Sequence, residues 1–136
     1  MSTVFLHEEV KGSNWIEVLL EVTDYDLDCI LSGAFEGGSN YWCDNVQVVN
    51  NDYKGAEFAS EAISKGAEID IFLNEINYDG TRDKYRLTKE KLLEGCKHYI
   101  AGTKDTKRRA WDPDAMDAWD YDMILQYAIF GEVVYG

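Results

Sequence analysis

No apolar run in the 136-residue chain approaches the roughly 18 to 20 residues that cross a bilayer. The start, Met1-Ser2-Thr3-Val4, also lacks the basic-then-apolar pattern of a secretory signal. These absences predict a cytosolic protein without a membrane role. Cysteine is scarce: Cys29, Cys43 and Cys96 are odd in number, far apart and without Cys-x-x-Cys spacing, which argues against a disulfide framework and against a zinc knuckle. They read as reduced, mostly buried small hydrophobes. Histidine is scarcer, with His7 in a start expected to fray and His98 in the middle of a helical stretch. Cys96 is only two residues from His98 and so faces away from it, leaving Cys29 or Cys43 as the thiols that folding would have to bring alongside. Nucleophilic catalysis therefore finds little support, and paired carboxylates are too plentiful to single out a hydrolytic pair. Neither an internal repeat nor a linker is present, and the length fits one domain over 1–136.

Acid is what the chain has in excess. Twenty-six Asp and Glu stand against thirteen Lys and Arg, a net charge of −13. The charge is sorted: residues 1–81 hold sixteen acids and three lysines, 82–109 hold ten bases and four acids, and 110–136 hold six acids and no base. Such a surface repels phosphate backbones and attracts basic patches over about 8 to 10 Å at physiological salt, which disfavours direct duplex DNA binding.

Local patterns predict an α+β fold with about four strands, largely antiparallel, and three helices packed mainly on one face. Asn14 to Val22 reads as a strand. Thr23 with Asp26 forms a capping box for a helix through Leu27, Ile30, Leu31 and Ala34 that closes at Gly37-Gly38. Asn40 to Val49 reads as a second strand, and a short helix is expected near Phe58 to Ile63 before Gly66. Ile69 to Tyr78 alternates, with Asp79-Gly80 as a two-residue hairpin turn into Arg82 to Leu87. Thr88 caps a helix whose inward stripe is Leu92, Leu93, Cys96, Tyr99 and Ile100. Asp112 as N-cap and Pro113 at the first helical position start a final helix to about Phe130.

That last helix is apolar around most of its circumference, which predicts burial, and its polar interruptions then need partners. Helical spacing sets Met116, Trp119, Met123, Tyr127 and Phe130 on one stripe and makes Asp120 the acid expected to be buried. Asp122 and Gln126 lie one turn apart, where amide and carboxylate can meet. Two uses are open, a core network or a ligand site. The acids Asp112, Asp114, Asp117, Asp120 and Asp122 lack the glycine and closing Glu of a calcium loop, and first-turn acids complement the helix dipole, so no metal is predicted. No cofactor is predicted either. In Gly37-Gly38-Ser39-Asn40-Tyr41-Trp42, two glycines permit close backbone approach, and strand alternation would leave one aromatic ring free to stack; the trailing Lys-Ser/Thr of a P-loop is missing. Lys104, Lys107, Arg108 and Arg109 beside Trp111 form the one basic cluster, readable as a solvated loop or a phosphate clamp.

The stretch Gly37 to Trp42, followed at the end of the chain by Asp117 to Gly136, resembles a group of small proteins of phages and prophages. The match covers about half the chain in the same order, and the basic loop at 104–109 lies outside it. The resemblance implies a mobile-element origin and an accessory role in the host cytosol.

Two functions from different classes follow. One is a non-enzymatic anti-defence inhibitor, anti-CRISPR-like or a DNA mimic, that docks acids such as Asp24, Asp26 and Asp28 on a basic, nucleic-acid-binding host protein. The other is a sponge for a nucleotide immune signal, with a pocket from Tyr41, Trp42, Asp120, Gln126, Arg108 and Arg109, for which a homodimer would fit. A structural or regulatory adaptor is the third expectation.

Overall fold

The computed structural model describes residues 2–10, 14–102 and 111–136. The fold is α+β, with five strands in two antiparallel sheets among the described residues. Strands β1 (Ser2–Val10) and β2 (Asn14–Val22) pair in continuous register from Ser2 opposite Val22 to Val10 opposite Asn14. The second sheet runs in the order β3 (Cys43–Val48), β4 (Ile69–Leu73), β5 (Lys84–Leu87). The three long helices are α1 (Asp24–Gly33), α3 (Lys89–Gly102) and α4 (Ala118–Phe130), and the short helix expected near Phe58 to Ile63 is a single turn, α2 (Ala59–Ala62), that tightens into a 3-10 turn over Ile63–Lys65 and stops at left-handed Gly66. No helix among the described residues is long and apolar enough to cross a membrane.

The core follows the periodicities. Central strand β4 turns Ile69, Ile71 and Leu73 inward, while Asp70, on its other face, meets Arg86 directly opposite on β5. Leu27, Ile30 and Leu31 of α1, Leu92, Cys96 and Ile100 of α3, and Ile124 and Leu125 of α4 close over them. Helix α1 begins with the predicted capping box: Thr23 accepts from the Asp26 amide and Asp26 accepts from the Thr23 amide, each at 3.0 Å. Thr88 caps α3 by accepting from the Lys91 amide at 3.2 Å. Helices α3 and α4 pack closely because Gly95 lacks a side chain; a Cβ there would sit 2.6 Å from the Ile124 carbonyl oxygen.

Three local expectations are corrected. Helix α1 does not close at a left-handed glycine: Gly37 has an extended φ of 179° and the chain leaves through a π turn over Ala34–Gly38. Gly38 is needed for space instead, since a Cβ there would lie 2.5 Å from the Ala118 carbonyl oxygen. The final helix starts later than predicted. Pro113–Ala115 forms a separate 3-10 turn, Asp112 makes no side-chain cap, and Met116 is extended. The cap of α4 is Asp117, which accepts from the Trp119 and Asp120 amides while Asp120 returns a bond to the Asp117 amide. With that start, Trp119 falls outside the core, 68% exposed, and the buried stripe runs through Asp120, Ile124, Leu125 and Ala128. The hairpin between β4 and β5 is longer than a two-residue turn, because the strands end at Leu73 and Lys84.

Candidate functional site

The two motifs singled out in the sequence meet in space, on Asp122, two residues along the helix from Asp120. Asp122 accepts from Ser39 Oγ at 2.8 Å, Trp42 Nε1 at 2.7 Å, Tyr41 Oη at 2.5 Å and Gln126 Nε2 at 3.0 Å. Two carboxylate oxygens offer about four lone-pair sites, so this set of donors fills them. The turn after Gly38 makes the convergence possible: Cys43 N donates to the Ser39 carbonyl at 2.9 Å and Trp42 N to the same oxygen at 3.2 Å, so Ser39, Tyr41 and Trp42 lie on a turn and not on a strand. Strand alternation therefore does not govern the two rings. Trp42 is buried and Tyr41 is 54% exposed with its hydroxyl turned inward.

Gln126 extends the network to the end of the chain. Its Oε1 accepts from the amides of Val134 and Tyr135 at 2.9 and 2.8 Å, and its Nε2 donates to the Tyr135 carbonyl at 3.2 Å. The Tyr135 ring stacks on Trp42, centroids 5.7 Å apart and planes within 3°, and Phe130 meets Trp42 at 5.5 Å. Burial, then the bond to Asp122, pushes the Tyr41 phenol up to about 12. The arrangement clamps residues 131–136, which have no regular secondary structure, against α4.

Of the residues proposed for a nucleotide pocket, Tyr41, Trp42 and Gln126 come together. Asp120 does not join them: buried as expected, it accepts from Tyr99 Oη at 2.8 Å on the α3 side. Arg108 and Arg109, with the rest of the basic cluster, lie outside the described residues. Tyr135 covers the buried ring of Trp42, and of the two rings it is Tyr41 that stays half-exposed. The network thus has the character of the core option, and the expected meeting of Asp122 with Gln126 is observed within it, while the wider role of Asp122 as its organiser was not anticipated. The signal for that role in the sequence was the three donors Ser39, Tyr41 and Trp42 in a segment with no acid of its own before Asp44.

The acids proposed for docking, Asp24, Asp26 and Asp28, are corrected from exposed to half-buried, and each has an internal role. Asp24 pairs with Lys89 Nζ at 3.1 Å, Asp26 closes the cap of α1, and Asp28 accepts from Ser64 Oγ at 2.7 Å. Four further basic side chains are engaged in the same way: Lys54 with Asp52 at 2.9 Å, Arg82 with Asp44 at 3.7 Å, Lys84 with Asp70 at 3.7 Å, and Arg86 with Asp70 and Glu68 at 2.7 and 3.1 Å, while Lys65, Lys91 and Lys97 have no ion pair among the described residues. Glu36, Glu57, Glu75, Asp112, Asp114 and Glu132 are exposed with no ion pair among the described residues.

Of the three thiols, Cys43 and Cys96 are buried and Cys29 is half-buried. Burial raises the Cys43 thiol to about 11 and pushes Cys96 higher still. His98 stacks on Tyr127 at 5.8 Å. No protein-family model matches the chain, and no curated protein or solved structure matches it.

Proposed function

We propose that this is a non-enzymatic accessory protein of phage type, acting in the host cytosol, which inhibits a defence system by docking its acidic exterior on a basic, nucleic-acid-binding protein. The observation that carries this reading is the pairing of bases. Five of the eight described Lys and Arg side chains are held in ion pairs, which leaves exposed acids such as Glu36, Asp112 and Asp114 without a local counter-charge on a chain of net charge −13. Such pairs add little stability each, but they cancel positive potential where it arises. The remaining field would speed encounter with a cationic groove and exclude nucleic acid from it. The docking charge falls to the exposed acids, Asp112, Asp114 and Glu36 among them, in place of the internally engaged trio on α1. The burial of the Cys43 and Cys96 thiols supports the non-enzymatic part of the proposal.

The test is competition. A purified, guide-RNA-loaded CRISPR DNA nuclease is incubated with the protein and then offered labelled target duplex. Loss of duplex binding in proportion to added protein is expected. Simultaneous binding of both, or no association with any member of a panel of such nucleases, contradicts the proposal.

A further inference from the structure

We propose that the loop between β4 and β5, residues 74–83, is a preformed docking wedge that inserts Ile76 and Tyr78 into an apolar pocket rimmed by Lys or Arg on a protein partner. This deepens the proposed function and rests on it for the partner's charge.

The loop inverts the usual arrangement of polar side chains outward and apolar ones inward. Ile76 is 63% exposed and Tyr78 is fully exposed. Its polar side chains are spent on bracing. Asn77 Nδ2 donates to Thr81 Oγ1 at 3.2 Å and to Asp83 at 3.0 Å, and Asp79 accepts from the amide and hydroxyl of Thr81 at 3.0 and 2.6 Å. Arg82 Nη1 donates to the carbonyls of Leu73 and Asn74 at 3.2 and 2.6 Å, and Asn74 Nδ2 reaches the Asn40 carbonyl at 3.2 Å. The backbone closes as a three-residue loop: Gly80 N donates to the Asn77 carbonyl, Asn77 N to the Thr81 carbonyl, and Gly80 takes the left-handed φ of 85° that such a loop requires.

Bracing of this kind removes most of the ordering cost that a flexible loop meets on binding, so the apolar area of two large side chains is available as affinity. A Tyr beside an aliphatic anchor, on a rigid projection, is the composition of an interface hot spot. The charge selects the partner. Glu75, Asp79 and Asp83 surround the anchors, and the one base in the loop, Arg82, also faces Asp44 at 3.7 Å. Nucleic acid and an anionic bilayer would be repelled, and a second copy of this chain would bring the same acids into contact. A cationic rim around an apolar floor matches both features.

The experiment separates charge from apolar anchoring without needing the biological partner. Wild type and Ile76→Ser/Tyr78→Ser are run on a quaternary-ammonium resin, which offers charge alone, and on a benzyl-substituted amine resin, which offers a cation beside an aromatic ring. The variant is expected to co-elute with wild type on the first and to be retained about tenfold less on the second. An unchanged melting temperature shows that the fold is intact, as the exposure of both side chains predicts. Equal retention on both resins overturns the proposal. An equal loss for Tyr25→Ser/Trp119→Ser, which removes the two exposed rings near the starts of α1 and α4, also overturns it, because the wedge would then have no special standing. Failure in the nuclease competition with success on the resins would sink the proposed function and leave the wedge standing.

Discussion

Replacing Asp122 by Ala removes the acceptor for four donors at once, and its cost can be worked from their burial. Ser39 is fully buried, Trp42 is 2% exposed and Asp122 itself 3%, so neither the hydroxyl nor the indole N–H has water to turn to. Tyr41 is half-exposed and can be hydrated, and Gln126 Nε2 keeps the Tyr135 carbonyl at 3.2 Å. The stranded donors that count are therefore two, each costing about 1 to 3 kcal/mol when left unsatisfied, or about 4 kcal/mol together. Against a total stability of about 5 to 15 kcal/mol that is a large fraction. At an unfolding entropy of about 2.1 cal/mol/K per residue, 136 residues lose about 14 °C in melting temperature. The assay is equilibrium urea unfolding followed by tryptophan fluorescence, with Asp114→Asn, an exposed acid, as a control expected within about 0.5 kcal/mol of wild type. Asp122→Asn should fall between the two, because its amide keeps one acceptor oxygen while turning a donor toward donors. A cost below about 1 kcal/mol for Asp122→Ala would refute the reasoning and reopen the cluster as a site built for something other than holding the fold.

Further predictions follow from single contacts. Gly38→Ala should destabilise by about 1 to 3 kcal/mol, because its Cβ would meet the Ala118 carbonyl, while Gly37→Ala, with nothing within 4 Å and an extended φ, should stay within about 0.5 kcal/mol; thermal unfolding checks both. Asp117→Ala should cost about 1 kcal/mol as the loss of a helix cap and Asp112→Ala almost nothing, which urea midpoints will show. Tyr41 is protonated in the fold up to about pH 12 and in the unfolded chain only to about 10.0. The fold thus binds the proton more tightly, so its contribution is complete below the lower value and is lost as pH rises through the upper one. Urea midpoints between about pH 9.5 and 11.5 should fall more steeply for wild type than for Tyr41→Phe.

Much of the fold was legible because the signals were local. The capping box of Thr23 and Asp26, the stripe of Leu92, Cys96, Tyr99 and Ile100, the alternation of Ile69, Ile71 and Leu73, and the stop at Gly66 each follow from short-range geometry, and each is observed. The misplaced features depend on contacts between distant segments. Pro113 at a helical first position is a good start signal, yet the chain uses it for one 3-10 turn, because Asp117 with Asp120 makes the stronger reciprocal cap. Trp119 was drawn inward by its spacing from Met116, a spacing that lapses once Met116 is extended. Gly38 was read as a conformational cap, and its real role, space for the start of α4, is visible only when residues some eighty positions apart are brought together. The candidate site shows the same division. The sequence named the two segments that meet and four of the side chains that do so, Tyr41, Trp42, and Asp122 with Gln126 as a carboxylate–amide pair. It was right that Asp120 is buried, but it put Asp120 in the site where Asp122 gathers the donors, since only the long-range approach of Ser39, Tyr41 and Trp42 decides between them, and it missed that the tail around Tyr135 would fill the space over Trp42.

The central claim is that uncompensated negative potential is what this molecule presents to its surroundings. The most direct measurement is the association rate constant with a guide-RNA-loaded CRISPR DNA nuclease as a function of ionic strength, for wild type and for Glu36→Gln/Asp112→Asn/Asp114→Asn. The account predicts a rate that falls at least about tenfold between low and high salt, with a shallower slope for the neutralised variant. A rate that is the same at both salts, or a slope untouched by removal of the three charges, would contradict it.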